Sequence, residues 1–125
     1  MYKAKINLQT FPSEGIVIDK NIKITSCIHG HPSGANTYRL EIGKTKIVYC
    51  TDIEHPENNL TPNIIKIAKD ANLLIKDPQF RDHELSSDKV WGHSSWQQCT
   101  KIAKLANVKN YFYFTIVQII MIILY

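Results

Sequence analysis

Four residues of types that bind metal ions stand where the chain leaves one predicted element or enters the next: His31, Asp52, Asp77 and His93. Imidazole nitrogens and carboxylate oxygens are the usual ligands of zinc and similar divalent ions in hydrolytic sites, where they leave one position for water. A carboxylate can also bridge two ions. These residue types therefore point to a metal-dependent hydrolase, provided that the fold brings them together.

Each of the four residues also has a purely structural interpretation. A histidine before a proline, as at His31, is more often a loop residue than a ligand. Asp52 could cap a loop, and His93 could cap a helix. For Asp77, which also precedes a proline, the structural interpretation as the end of a strand is favoured.

Five segments have the composition and alternation of β-strands: residues 21–29, 36–42, 45–51, 72–76 and 108–114. Two helical segments separate the last three. Glu54 and His55 could belong to a solvated loop, and we expect residues 78–93 to be rich in loops. The order β-β-β-α-β-α-β predicts an α+β fold with helices packed on a sheet.

The helix boundaries have sequence signals of their own. Thr61-Pro62 predicts a helix start, because a capping residue followed by proline is typical there. Either Ser94 or Ser95 caps the second helix, and Asn107 suits the left-handed position that ends it. The residues expected on the buried faces are Ile64, Ile65, Ala68 and Ala71 in the first helix, and Cys99, Ile102, Ala103 and Ala106 in the second.

Strand direction predicts that the four candidate residues share one edge of the sheet. If the strand at 21–29 runs upward, the third strand also runs upward, so His31 and Asp52 both lie at the upper edge. Helical crossovers between parallel strands bring Asp77 and the loop with His93 to that edge. Functional residues of α/β sheets gather at the carboxyl ends of strands, which favours a metal site there.

The composition is that of a small globular domain. The 125 residues are 44% hydrophobic and 21% charged, and this excludes a disordered chain. The net charge of +4 is spread along the chain, so an ordinary solvated surface is favoured over a phosphate-binding one. Three cysteines without a CxxC pair, and an N-terminus without a secretory signal, predict a cytoplasmic protein.

The residue sequences of six segments are more specific evidence than the spacing of the four candidate ligands. These segments are His31-Pro32, Tyr38-Arg39-Leu40-Glu41, Ile47 to Asp52, Ala71 to Ile75 with Asp77, Trp91-Gly92-His93-Ser94-Ser95, and Ala103 to Lys109. Together they resemble metallo-β-lactamase-fold hydrolases of the ribonuclease Z and phosphodiesterase branch. The Gly-His-Ser-Ser element is the most specific part. The resemblance spans residues 20–114 and implies the C-terminal half of an αββα sandwich.

This resemblance also implies a role for each site residue. His31 and Asp52 would be metal ligands for Zn²⁺ or Mn²⁺, with Asp52 as a bridging carboxylate. Asp52 and His93 would be the catalytic residues, with His93 beside the scissile phosphate as an acid or an orienting group. The implied reaction is attack by metal-activated water on a phosphodiester or another ester-like bond, in a small molecule or at an RNA end.

Two departures from the family pattern lead us to expect a truncated chain with an incomplete site. The family's His-x-His-x-Asp-His motif, which supplies most of its metal ligands, does not occur in this sequence. Phe114-Thr115 stands where the family has its final histidine. His31 and Asp52 alone fall short of the usual three or four protein ligands, so a separate N-terminal half is one expected partner.

Residues 1–114 are expected to form the partial domain and residues 115–125 an apolar tail without charged residues. As real sequence the tail is a buried strand pair or a weak membrane anchor, because it is shorter than the roughly 18 residues of a membrane span. Read one nucleotide out of register, permitted codons give His-His-Ser-Pro-Asn-His-Asn-Asp from Phe114 to Ile122, which resembles the family's closing motif. A frameshift is therefore the favoured hypothesis, and sequencing the gene tests it.

Three functions remain open from the sequence. The chain is a metal-dependent hydrolase that takes its missing ligands from elsewhere, a non-catalytic remnant of such a hydrolase, or a small membrane-tethered binding protein. We expect the hydrolase, with phosphodiesters rather than β-lactams, thioesters or lactones as substrates, and no membrane association.

Overall fold

In the part of the chain that the structure describes, seven strands form one mixed sheet and two helices pack on one of its faces. The computed structural model describes residues 8–56, 60–85 and 92–114, and the backbone of residues 122–123. The strands are β1 (Ile16–Asp19), β2 (Ile22–His29), β3 (Ala35–Ile42), β4 (Thr45–Cys50), β5 (Leu73–Lys76), β6 (Pro78–Phe80), β7 (Ser94–Ser95), β8 (Asn110–Tyr113) and β9 (Ile122–Ile123). The helices are α1 (Pro62–Ala68) and α2 (Trp96–Leu105), with a 3-10 turn at Asp82–Glu84.

The sheet order is β1-β2-β3-β4-β5-β8-β9, and β6 and β7 form a separate parallel pair. Neighbouring strands from β1 to β4 are antiparallel, whereas β4, β5 and β8 run parallel to one another. Parallel neighbours need long connections, and α1 and α2 lie in those connections. The carboxyl ends of β4, β5 and β8 therefore share one edge of the sheet.

All five predicted strands and both predicted helices are present in the predicted order, so the α+β assignment is confirmed. The sequence pattern missed three short strands. β1 is exposed along its whole length, so it lacks the buried alternate positions that mark a strand. β6 and β7 have three and two residues, which is too few to show a period. The expected loop at 78–93 thus contains β6 and the 3-10 turn, while residues 86–91 lie outside the described part.

Arg39 in β3 fixes the C-terminal end of α1 to the sheet. Its guanidinium donates to the carbonyl oxygens of Ile67 and Lys69, at 2.7 and 2.9 Å. Carbonyls at a helix end have no partner inside the helix, so Arg39 supplies the missing donors. At the other end Thr61 precedes the helix as predicted, but its side chain makes no capping hydrogen bond.

Ser95, and not Ser94, is the N-cap of α2. Its Oγ accepts from the N–H of Gln98 at 3.0 Å, and Oε1 of Gln98 accepts from the N–H of Ser95 at 3.0 Å. This reciprocal pair is a capping box, which satisfies two backbone donors at once. Asn107 has a φ of +54°, in the left-handed position that was predicted to end the helix.

The core lies between the helices and the sheet. Its buried residues are Val48, Cys50, Ile53, Ile64, Ala68, Ala71, Leu74, Ile102, Ala103 and Ala106. The predicted inward faces are confirmed within the helices, although Ile65 is only partly buried. Ala71 and Ala106 are buried as predicted, but they lie beyond the ends of α1 and α2. The opposite face of the sheet is open: Ile28, Tyr38 and Tyr49 are 73%, 39% and 44% exposed.

All three cysteines are free thiols, and Cys50 and Cys99 are buried. The ammonium of Lys76, which is fully buried, donates to Sγ of Cys50 at 3.6 Å. Within the described residues, no helix combines the length and the apolar character that crossing a membrane requires. Of the tail at 115–125, only the backbone of β9 is described, antiparallel to β8, and the frameshift hypothesis concerns residues that lie largely outside the described part.

Candidate metal-binding site

Two aspartates meet at the carboxyl edge of the sheet because β4 and β5 are parallel. Cys50 at the end of β4 lies opposite Lys76 at the end of β5, so Asp52 and Asp77 follow at the same edge. The chain turns at Asp52, whose φ is +53°, a conformation that aspartate tolerates better than most residues. The N–H of Asp52 donates to both carboxylate oxygens of Asp77, at 3.0 and 3.1 Å.

The small β6–β7 pair brings His93 to these aspartates. Pro78 in β6 lies opposite Ser94 in β7, so the preceding residues, Asp77 and His93, are neighbours. Nδ1 of His93 is 3.5 Å from Oδ2 of Asp77 and 3.9 Å from Oδ1 of Asp52. We call Asp52, Asp77 and His93 the edge cluster.

Hydrogen bonds on either side of His93 tie it to the loop that follows β4. Oγ of Ser94 donates to the carbonyl oxygen of Ile53 at 2.6 Å. The N–H of Gly92 donates to Oε2 of Glu54 at 2.9 Å. Because both bonds end on the same loop, the position of the imidazole is coupled to the turn that carries the first aspartate.

The electrostatics of the edge cluster favour a cation. Burial raises the pKa of the Asp77 carboxyl, the N–H of Asp52 opposes that change, and the Asp52 carboxylate raises the pKa further. Two carboxylates held this close repel each other. Lys76 and His93 offset part of this repulsion, and a bound divalent cation would reduce it further.

The residues of the edge cluster fit a divalent metal. One ligand atom from each of the three lies within 4.8 Å of the others, and no other such group of three occurs in the described part of the chain. Nδ1 of His93 is buried and has no hydrogen-bond partner among the described residues. Two carboxylates and an imidazole are donors that zinc and manganese accept, and three protein ligands are typical of a catalytic site that keeps a position for water.

His31 lies on the loop after β2, beside the edge cluster but outside it. The N–H of Ser33 donates to Nδ1 of His31 at 3.2 Å, which leaves Nε2 for another partner. The ring faces Gly92, because a Cβ built on that glycine would come within 2.6 Å of Nε2 of His31. The imidazole therefore contacts the residue before His93, although it does not belong to the group whose ligand atoms lie within 4.8 Å.

No family model and no curated protein sequence matches this chain. Solved structures do match. The short form of human tRNase Z superposes with a TM-score of 0.67 at 21% identity, over 79% of this chain and 38% of that one. YhfI from Bacillus subtilis, described as a metallo-β-lactamase fold protein, has a TM-score of 0.69 at 21% identity, over 90% and 44% of the two chains.

A third match is a Thermotoga maritima protein proposed to be a Zn-dependent hydrolase of the metallo-β-lactamase superfamily, with a TM-score of 0.55 at 16% identity, over 74% and 41% of the chains. The chain adopts part of the metallo-β-lactamase fold. The resemblance stated from the sequence is thus confirmed at the level of the fold. The chain spans about two fifths of the length of these solved chains.

This partial metallo-β-lactamase fold brings Asp52 and His93 together, as strand direction predicted, and places His31 next to them. It also places Asp77 in the edge cluster, where sequence analysis favoured the end of a strand as its only role. Strand direction already placed Asp77 at this edge, because Asp52 and Asp77 each follow a predicted strand and those strands are parallel neighbours, but it could not show that Asp77 contacts His93. Residues that follow such strands lie close together by necessity.

A second set of polar residues, buried next to the edge cluster, was not singled out from the sequence. His29 and His55 are only 5% and 7% exposed, and Lys76 is fully buried. The interpretation as a solvated loop is wrong for His55, because Nδ1 of that ring is 3.0 Å from Oγ1 of Thr61. It is also wrong for Glu54, which is partly buried against the loop that carries His93.

Proposed function

We propose that this chain carries part of the active site of a metal-dependent hydrolase that cleaves phosphodiester bonds. The observation that carries the proposal is the edge cluster, in which Asp52, Asp77 and His93 meet at the carboxyl ends of parallel strands. Ligands of α/β sheets bind at this edge, and the donor types suit a divalent ion. A bound Zn²⁺ or Mn²⁺ ion would polarise the phosphoryl group and lower the pKa of a water molecule.

Asp52 and His31 are the residues that we assign to holding the metal. The side chain of Asp52 is 52% exposed, so its carboxylate is accessible from the solvent side of the edge. His31 has Nε2 free of hydrogen bonds to its own loop, since the N–H of Ser33 bonds to Nδ1. The packing of His31 against Gly92 supports this assignment, because it brings the ring to the same edge.

His93 acts as the acid that protonates the leaving oxygen, and Asp77 positions it. Oδ2 of Asp77 lies 3.5 Å from Nδ1 of His93, so an imidazolium at this position would keep its Nδ1 proton towards Asp77 and would donate its Nε2 proton to the leaving oxygen, ending as the neutral ring. The distance is longer than a good hydrogen bond. Catalytic hydrogen bonds are often long without substrate and shorten when the reacting complex forms.

In this proposal the residues of this chain hold one ion by themselves, and a separate N-terminal half that covers the open face of the sheet adds further ligands. That face carries exposed apolar side chains, among them Ile28, Tyr38 and Tyr49. Exposed apolar patches of this kind are typical of interaction surfaces. The same open face supports the alternative, a truncated and non-catalytic remnant, since an uncovered sheet is prone to aggregation.

Phosphodiesters are the favoured substrates because of the sequence resemblance and because one solved structure of the same fold is a tRNase. The substrate is then a small phosphodiester or an RNA end. The three free thiols favour a reducing compartment, and we assign the protein to the cytoplasm.

The proposal is tested with the full chain, with added Zn²⁺ or Mn²⁺, and with bis(p-nitrophenyl) phosphate as substrate. We expect metal-dependent hydrolysis, and a rate reduced by about 100-fold or more in His93→Gln, because the acid is lost. Metal affinity should change little in this variant if His93 is the acid. A clear loss of metal affinity would show instead that His93, which offers a ligand atom in the edge cluster, holds the metal, and would contradict its role as the acid. His83→Gln, which changes an exposed histidine of the 3-10 turn, is the matched control.

Two results would contradict the proposal. Protein that binds no metal and shows no turnover would leave the non-catalytic remnant as the function of this chain. Hydrolysis of a β-lactam with no hydrolysis of the phosphodiester would overturn the substrate class.

A further inference from the structure

A groove of about 690 Å³ lies between α1 and the sheet, and the end of it that contains Lys46 and Lys69 is at the edge opposite to the edge cluster. Lys46, near the start of β4, lines it, whereas Asp52 follows the end of the same strand. Six residues of extended chain separate these two positions, which corresponds to roughly 20 Å. The groove is therefore a site of its own, and its volume is typical of pockets for small molecules.

Positive charge dominates the lining of this groove. The charged residues that line it are Arg39, Lys46, Lys66, Lys69 and Asp70. Asp70 is engaged by Asn107, whose Nδ2 donates to its carboxylate at 2.8 Å. Even when the nearby Glu41 is counted with Asp70, the cations exceed the acids by two.

Two of the four cations are available to a ligand. Arg39 already donates to Glu41 and to the carbonyls at the end of α1. Lys46 lies opposite Glu41 on the neighbouring strand. The ammonium groups of Lys66 and Lys69 make no hydrogen bond or ion pair with any residue in the described ranges.

We propose that this groove binds a small molecule that carries a diphosphate group, with Lys66 and Lys69 as its charge partners. Lysine ammonium groups are common phosphate ligands, and two of them can each bind one of two linked phosphates, while Arg39 and Lys46 add positive charge to the same lining. Cys27 and Ile67 also line the groove and offer less polar surface to the rest of such a molecule. The lysines lie at the end of the groove that is far from the edge cluster, so the diphosphate group bound there belongs to a second ligand and not to the substrate of the hydrolase.

The test is calorimetric titration of the full chain in EDTA with pyrophosphate and, separately, with ADP. We expect binding of at least pyrophosphate, and an affinity at least tenfold weaker in the double variant Lys66→Gln/Lys69→Gln. The matched control is Lys101→Gln/Lys104→Gln, which removes the same charge from exposed positions of α2 and should change the affinity less than twofold. Binding of ADP as well as pyrophosphate supports a nucleotide, and binding of pyrophosphate alone supports an inorganic anion.

Titration without metal separates this groove from the edge cluster, because pyrophosphate should bind to the lysines in EDTA without any divalent ion. Binding that appears only after Zn²⁺ or Mn²⁺ is added would place the anion at the edge cluster and overturn the proposal. Absence of binding to both probes, or equal weakening in the two lysine pairs, would overturn it too. A lower melting temperature in Lys66→Gln/Lys69→Gln with unchanged affinity would assign these lysines to the end of α1 instead.

Discussion

Lowering the pH from 7 to 4 is expected to reduce the free energy of unfolding by about 3 kcal/mol through the His55 side chain alone. Burial, followed by the charge of Lys76 and by His29, lowers the pKa of His55 from 6.5 to about 3. The unfolded chain therefore binds a proton at a higher pH than the folded chain. The stability that is fully present above pH 6.5 is lost as the pH falls towards 3.

Urea unfolding of the unaltered chain and of His55→Gln between pH 7 and pH 4 measures this contribution. Other groups also titrate in this range, including His29, whose pKa burial lowers as well. The informative quantity is therefore the difference in slope, which approaches about 1.4 kcal/mol per pH unit between the two proteins. His83→Gln, at an exposed histidine, should keep the slope of the unaltered chain. An identical slope in His55→Gln would show that His55 is not held neutral by its surroundings.

Replacing Gly92 with alanine is expected to lower the free energy of unfolding by more than about 2 kcal/mol, since two separate penalties add. Gly92 has a φ of +77°, which an alanine adopts only with strain. A Cβ at this position would also come within 2.6 Å of Nε2 of His31 and 3.2 Å of Cδ of Pro32. The loop would have to move away from the ring, and His93 would move with it.

Gly34→Ala separates the two penalties. Gly34 has a similar φ of +73°, but a Cβ built there meets nothing within 4 Å, so only the backbone strain applies. Thermal unfolding in EDTA should show a smaller decrease in melting temperature for Gly34→Ala than for Gly92→Ala. Adding His31→Ala to Gly92→Ala should restore part of the loss, because it removes the ring that the new methyl group meets. If the two alanine variants lost equal stability, and if His31→Ala did not restore any stability to Gly92→Ala, the contact between position 92 and the His31 ring would be contradicted.

Much of the fold could be predicted from local sequence signals, because the packed structure agrees with them. The capping serine and the left-handed Asn107 gave the limits of α2, and its buried face agrees with the apolar period. Strand direction then placed Asp52 and His93 at one edge without knowledge of any side-chain contact. These predictions succeeded because they depend on chain connectivity and periodicity, which a sequence contains directly.

The parts that sequence analysis missed depend on contacts between distant segments. His55 appears in a polar stretch, and only the packing of that stretch against α1 and β5 makes it a buried, neutral group. The pairing of β6 with β7 involves five residues in all and sets His93 beside Asp77. A strand pair of that length leaves no periodic signal, so the partner of His93 could not be identified from the sequence.

The proposed hydrolase function depends most directly on whether the carboxyl edge of the sheet binds a divalent cation through Asp52. Isothermal titration of metal-free protein with Zn²⁺, and with Mn²⁺ as a second probe, measures this. We predict one ion per chain, an affinity at least tenfold weaker in Asp52→Asn and in His31→Ala, and little change in Glu14→Gln, which alters an exposed carboxylate away from the edge. Equal affinity in Asp52→Asn and the unaltered chain, or no bound metal in either, would contradict the assignment of this edge as a metal site.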